Sequence, residues 1–140
     1  MHRHRAGIVC VVAIAALTSA GVAVSKGGIT TTTCGRDRCR TVTNGISGIG
    51  TLPGRVSAPR SGRFFTISLR IETDGRPLGW KVVYESKRQI VRAVDGRARS
   101  FMGTRWAGLT RDVRPHYAKA VRGLAPMRSA PRPRDWVAAE

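Results

Sequence analysis

The sequence predicts a small α+β domain that follows an N-terminal hydrophobic helix. Three observations lead to this fold class: an uncharged apolar stretch over residues 6–24, strict alternation of apolar and polar residues over residues 63–72, and apolar residues at helical spacing from Val113 to Leu124. We expect an antiparallel β-meander of about four strands, with one C-terminal helix packed on its apolar face. A chain of 140 residues has room for one such domain.

The first 24 residues are typical of an export segment. Arg3 and Arg5 form a basic head, and the uncharged residues 6–24 end in small side chains. Cleavage after Ala20 or Ala23 would release a secreted protein. The run of about 19 residues, roughly 28 Å as a helix, is also long enough to remain as a single-pass anchor through residues 6–24, with the N-terminus inside and the C-terminus outside. Both alternatives place the remaining chain outside the cytoplasm.

Two cysteines lie in the exported part, spaced C-x4-C at Cys34 and Cys39. In an oxidising compartment such a pair predicts a disulfide that closes a tight loop. Zinc is disfavoured, because His116 as a third ligand would still leave a tetrahedral site one ligand short. No metal and no cofactor are expected. The loop carries Arg36 and Arg38, which are therefore candidate interaction residues.

The order of elements follows from turn residues and periodicity. Residues 25–33 are rich in Gly and Thr and read as a linker, so the domain is expected to span residues 34–126. A short β-prone run, Arg40 to Thr43, is ended by Asn44-Gly45. Residues 46–62, with many Gly, Ser and Pro residues, are expected to form a loop.

The strongest strand signal is the alternation of Phe65, Ile67, Leu69 and Ile71 with polar residues. Three further strands are expected from apolar runs separated by turn residues, the first of these turns being Asp74-Gly75 and a later one Asp95-Gly96. These runs cover residues 80–85, 90–94 and, interrupted by Gly103, 101–106.

One helix is expected to close the domain. Asp112 is the candidate N-cap and Pro115 fits the first turn, while Val113, Tyr117, Ala120, Val121 and Leu124 lie on one face. Residues 127–140, rich in Pro and Arg, are expected to be a flexible tail.

The net charge of +17, from 25 Lys and Arg against 8 Asp and Glu, favours an anionic partner. Outside the cytoplasm this would be an anionic envelope component or an acidic protein. Nucleic acid is disfavoured as a partner by the export segment and by the absence of RNP-like, zinc-finger or helix-turn-helix patterns. Binding of nucleic acid outside the cell is kept as an alternative function.

Catalysis is not expected. His116 is the only histidine of the exported part, no G-x-S-x-G motif occurs, and the acidic residues are single. The sequence thus favours a non-enzymatic, cationic binding or interaction domain of the cell envelope, either secreted or held by a membrane anchor.

A second functional hypothesis is a small secreted protease inhibitor that presents Arg36 and Arg38 on the disulfide-closed loop. Thr73-Asp74-Gly75 together with Gly79 to Glu85 forms an expected hairpin. This hairpin resembles one in bacterial subtilisin-inhibitor proteins. The resemblance covers about a dozen residues, and the remaining cysteine framework of that family is missing.

Overall fold

A computed structural model of the protein describes residues 28–46, 48–72 and 78–131. The predicted export segment, the Asp74-Gly75 turn and the chain after Pro131 lie outside the described residues. The elements are six strands and two helices: β1 (Ile29–Cys34), β2 (Cys39–Thr43), β3 (Phe64–Ile71), β4 (Leu78–Glu85), β5 (Ile90–Ala93), α1 (Gly96–Met102), β6 (Trp106–Gly108) and α2 (Arg114–Val121). None of the helices in the described ranges is both long and apolar enough to cross a membrane.

All six strands form one antiparallel sheet in the order β2-β1-β3-β4-β5-β6. The predicted α+β class and antiparallel sheet are confirmed, with six strands in place of about four and two helices in place of one. Strands β3 to β6 form the expected meander, whereas β1 lies between β2 and β3, so the chain crosses over between β2 and β3. The alternation in β3 has its expected result, since Phe65, Ile67 and Leu69 are buried. Strand β4 pairs with β3 over its full length, from Phe64 opposite Glu85 to Ile71 opposite Leu78.

The predicted linker is wrong for residues 29–33, which form most of β1. This strand pairs with β2 on one side and β3 on the other, so it is an interior strand of the sheet. Thr31 and Thr33 face the core and are 0% and 2% exposed. The β-branched threonines favour extended backbone. A run of threonines does not by itself predict burial, and here the neighbouring strands bury it.

The expected fourth strand at residues 101–106 is also wrong. Residues Gly96–Met102 form α1, and the strand is the shorter β6 that begins at Trp106. Asp95 accepts a hydrogen bond from the amide of Ala98 at 2.8 Å and so caps the helix. The Asp95-Gly96 pair therefore begins a helix where a hairpin turn was expected. Ala98 and Met102, four residues apart, bury one face of it.

Helix α2 begins one residue later than expected, with Val113 as its N-cap. Asp112 lies in the preceding turn, where a hydrogen bond from the Thr110 side chain holds the pKa of its carboxyl below the usual range. Pro115 sits in the first turn and Tyr117 and Ala120 are buried, as expected. The predicted tail is wrong at its start, because Met127 exchanges two backbone hydrogen bonds with Phe64, at 2.9 and 3.0 Å.

The two faces of the sheet differ in what covers them. The face under both helices holds the main core, to which the expected loop contributes Ile46 at 0% exposure. The opposite face carries a smaller apolar cluster at the β5–β6 end, made of Phe64, Val83, Ile90, Val94 and Trp106. Towards β1 and β2 the same face bears polar side chains. That polar region is where a ligand could lie on the sheet.

A buried carboxylate holds the β4–β5 connection. Glu85 is 1% exposed, and its Oε1 accepts hydrogen bonds from the amides of Arg63 at 3.1 Å and Lys87 at 2.9 Å. Its Oε2 accepts one from the amide of Arg88 at 2.8 Å. Buried carboxylates are tolerated when such donors satisfy them, and this one ties the turn to the segment that leads into β3.

Candidate binding groove

The polar region of the sheet follows from strand register. Alternate residues of a strand point to opposite faces, so the core-facing Thr31 and Thr33 direct Thr30 and Thr32 to the other side. Thr30 lies opposite Arg70, and Thr32 lies opposite Ser68. Strand β2 continues the pattern because Thr41 lies opposite Thr32, and the two hydroxyl oxygens are 2.9 Å apart. The result is a set of hydroxyl groups spread over three neighbouring strands.

An open groove of about 790 Å³ lies over this region. Its floor includes four hydroxyl side chains, those of Thr30, Thr32, Thr66 and Ser68. We call this surface the groove. Hydroxyl groups both donate and accept hydrogen bonds, so such a floor suits a ligand rich in oxygen atoms.

The groove has a positive charge. Four basic side chains, Arg36, Arg38, Arg70 and Lys81, line it together with two acidic ones, Asp37 and Asp95, which leaves an excess of two positive charges. The Asp95 carboxylate already serves as the cap of α1.

Two exposed ion pairs involve the arginines at the groove. Arg36 contacts Asp37 at 3.3 Å, and Arg70 contacts Glu72 at 2.8 Å. Because these pairs are exposed to solvent, they contribute little energy, and their arginines are available to an anionic ligand at small cost.

The predicted disulfide is present and borders the groove. Cys34 and Cys39 are bonded across the end of the β1–β2 hairpin, with Cα atoms 4.0 Å apart. The amide of Gly35 donates to the carbonyl of Arg38 at 2.9 Å and closes a two-residue turn. The ring packs on the chain after α2, where the amide of Arg36 donates to the Ala125 carbonyl at 2.7 Å.

Gly35 is required by that packing. A Cβ atom at this position would lie 2.3 Å from the Ala125 carbonyl oxygen, a distance that real side chains do not reach. Glycine is therefore needed here because two backbone segments approach each other closely.

The two candidate interaction residues have different surroundings. The Arg38 guanidinium donates to the Gly123 carbonyl at 2.8 Å, and that of Arg40 donates to the Ala120 carbonyl. Both therefore bind the C-terminal end of α2, where carbonyl groups are unpaired and cations are favourable. Arg36 is exposed, and its guanidinium pairs with the neighbouring Asp37 carboxylate. The ring is thus anchored to the helix, with Arg36 at its outer end.

His116 is exposed on α2, and over the described ranges no three His, Cys, Asp or Glu residues approach closely enough to hold a metal ion. The phenols of Tyr84 and Tyr117 stack edge to face in the core, with ring centroids 5.2 Å apart. Burial raises the pKa of both phenols, that of Tyr84 to about 12, so each stays protonated at neutral pH.

The hydroxyl floor is the part of the site that sequence reasoning missed. The alternation of β3 already directed Thr66, Ser68 and Arg70 away from the core. The other half of the hydroxyl floor comes from β1, whose threonines were assigned to a linker. A strand interpretation of Thr30–Thr33 would have placed two further hydroxyl groups beside Ser68. No protein-family model, curated protein or solved structure matches this chain.

Proposed function

We propose that this protein is a non-enzymatic, cationic binding domain of the cell envelope that holds an anionic envelope component in the groove. The observation that carries the proposal is the hydroxyl floor bordered by Arg36, Arg70 and Lys81. Guanidinium and ammonium groups bind phosphate and carboxylate oxygens with charge-assisted hydrogen bonds, while hydroxyl groups bind the uncharged oxygens beside them.

The net charge supports the same partner class at long range. A chain of +17 attracts polyanions before contact, and the groove supplies the short-range contacts that fix where they bind. Attraction between exposed charges weakens as salt shortens the Debye length. Hydrogen bonds from the hydroxyl floor depend less on salt. Binding in the groove should therefore retain a salt-resistant part that binding by net charge alone would lack.

Export is the second part of the proposal. The disulfide between Cys34 and Cys39 is of a kind that persists in oxidising compartments, and the predicted segment over residues 6–24 would deliver the domain there. Cell fractionation with N-terminal sequencing tests this part. A chain that starts after residue 20 or 23 means secretion, an intact membrane-bound chain means an anchor, and a reduced chain in the cytosol would contradict export.

The groove is favoured over the protease-inhibitor hypothesis by the geometry of the ring. The guanidinium of Arg38 is bound to the Gly123 carbonyl and would have to leave it before Arg38 could enter a protease cleft, so of the two candidates Arg36 alone is presented outward, and it is paired with Asp37. Inhibition of a trypsin-like or subtilisin-like protease, abolished by Arg36→Ala or Arg38→Ala, would reverse this preference.

The binding experiment uses the full-length chain, purified in detergent, and three fluorescently labelled polymers: polyglycerol phosphate, polygalacturonate and double-stranded DNA. Neutral dextran is the polymer control. Arg70→Gln combined with Lys81→Gln removes two charges from the groove. Arg111→Gln combined with Arg122→Gln removes two exposed charges that do not line it.

We expect the groove variant to weaken binding of an envelope-type polyanion by about tenfold, and the control variant by less than about twofold. Equal losses in both variants would mean that net charge, and not the groove, holds the polymer. Binding of DNA in preference to both envelope-type polymers would favour the nucleic-acid alternative.

A further inference from the structure

The outer edge of β2 is an open edge of the sheet. β2 is the terminal strand, and in the described part of the chain no other strand pairs with its outer side. The far edge of the sheet is covered. There the segment 51–56 runs beside β6, with the amide of Leu52 donating to the Gly108 carbonyl at 2.7 Å and that of Val56 to the Trp106 carbonyl at 3.1 Å. One edge is thus protected and the other exposes backbone groups.

The hydrogen-bonding pattern between β1 and β2 identifies which backbone groups of β2 point away from β1. The Asn44 amide donates to the Ile29 carbonyl at 2.6 Å at one end, and the Gly35 amide to the Arg38 carbonyl at 2.9 Å at the other. Hydrogen-bonded pairs alternate along an antiparallel ladder. The inward pairs are therefore Thr31 with Val42 and Thr33 with Arg40.

The remaining residues of β2 direct their backbone outward. By the same alternation, the N–H and C=O groups of Cys39, Thr41 and Thr43 point away from β1. These three residues are also exposed. They present six backbone groups in the spacing that another extended chain requires.

This edge is held rigidly before any partner arrives. The disulfide fixes Cys39 to β1, and the guanidinium of Arg40 is bound to the end of α2. A strand that is already ordered loses little conformational entropy when a second strand pairs with it, which favours binding. Recognition by strand addition to a sheet edge relies on main-chain hydrogen bonds of this kind.

The charge around the edge selects its occupant. The hairpin carries Arg36, Arg38 and Arg40 against one acidic residue, Asp37. A second copy of a chain with net charge +17 would bring like charges together, whereas an acidic chain would be attracted. We propose that β2 binds an extended, acidic segment of a partner protein, which adds to the sheet as a further strand. This site lies at the sheet edge and does not depend on binding in the groove.

The test uses the full-length chain in detergent and a capped peptide of alternating glutamate and valine, about as long as β2. A peptide with lysine in place of glutamate is the charge control. Thr41→Pro removes one outward N–H, which no other described strand pairs with, whereas Thr41→Ala keeps that N–H and removes the side chain. Binding is measured by fluorescence anisotropy, and the exchange rates of the Thr41 and Thr43 amides are measured by hydrogen exchange.

We expect the acidic peptide to bind, to slow exchange of both amides, and to lose at least about tenfold in affinity with Thr41→Pro. Thr41→Ala should stay within about threefold of the unmodified chain, and the lysine peptide should not bind. Thr43→Pro gives a second variant with the same expectation, should Thr41→Pro fail to fold.

Three results would overturn the proposal. No binding of the acidic peptide, or binding that neither proline variant weakens, would exclude the edge. Loss of peptide binding in the Arg70→Gln and Lys81→Gln variant, with the proline variants unaffected, would place the peptide in the groove and leave the proposed function intact. Self-association of the chain that Thr41→Pro abolishes would mean that the edge pairs with a second copy.

Discussion

The buried carboxylate of Glu85 gives the sharpest stability prediction. It accepts three amide hydrogen bonds, from Arg63, Lys87 and Arg88, and no basic side chain is needed to explain its burial. Glu85→Ala removes the acceptor and leaves three amide donors around an empty space. Glu85→Gln keeps one carbonyl oxygen but places an NH₂ group near one of the donors. The two variants therefore remove different numbers of hydrogen bonds from the same turn.

The expected magnitudes follow from that count. A hydrogen bond to a charged acceptor contributes about 1.5–3 kcal/mol, and because water can reach some of the freed turn amides, each lost bond should cost about 1–1.5 kcal/mol. We expect Glu85→Ala to lower the free energy of unfolding by about 3–4 kcal/mol. Glu85→Gln should lower it by about 1–2 kcal/mol, because the two bonds to Oε1 can persist while the Arg88 amide loses its acceptor. For a domain near 100 residues, the alanine variant should lose roughly 12–32 °C in Tm.

The assay is urea unfolding followed by circular dichroism, with the disulfide intact. Glu72→Ala is the control, since it removes an exposed carboxylate from a surface ion pair and should change stability by less than about 0.5 kcal/mol. If Glu85→Ala stayed within that range, or if the glutamine variant were the less stable of the two, the carboxylate would not be what holds this turn.

Three further predictions concern the ring and the core. Gly35→Ala should lower the free energy of unfolding by about 2 kcal/mol or more, because its Cβ would meet the Ala125 carbonyl, whereas Gly96→Ala, with no atom within 4 Å, should be neutral or stabilising. Reduction of the disulfide should shift urea unfolding by about 2 kcal/mol or less, since the closed loop is short; a larger loss would mean that the hairpin does not hold itself. Because burial raises the pKa of Tyr84 to about 12, its contribution to stability should be complete below pH ~10 and should be lost between pH ~10 and ~12. The free energy of unfolding and the phenolate absorbance are measured over this range, and a stability that does not change with pH would contradict the burial of Tyr84.

Local sequence patterns predicted the structure correctly where apolar residues recur at the spacing of a strand or a helix and that face is buried. The alternation in β3 identified Phe65, Ile67 and Leu69 as core residues, and helical spacing identified Tyr117 and Ala120. The C-x4-C spacing identified the disulfide. In each case the residues that determine the structure lie within a few positions of one another along the chain.

Patterns failed where a segment's environment comes from distant residues. The Thr30–Thr33 run has the composition of a linker, and it becomes an interior strand because β2 and β3 flank it. Asp95-Gly96 suits a turn as well as a helix start, and burial of Ala98 and Met102 against β4 and β5 selects the helix. The differences in helix and strand propensity between these residues are smaller than the energy of packing against the rest of the domain, so packing determines which secondary structure forms.

The amino-acid sequence was enough to establish the α+β class, the disulfide, the β3–β4 and β4–β5 hairpins and the strong positive charge. Each of these depends on residues close together in the sequence or on composition alone. It was not enough to bring Thr30 beside Arg70, to seat the ring on Ala125, or to leave β2 open while β6 is covered. Those features arise when segments far apart in the chain pack together, and hydrogen bonds and contacts of that kind have no signature in any short stretch of residues.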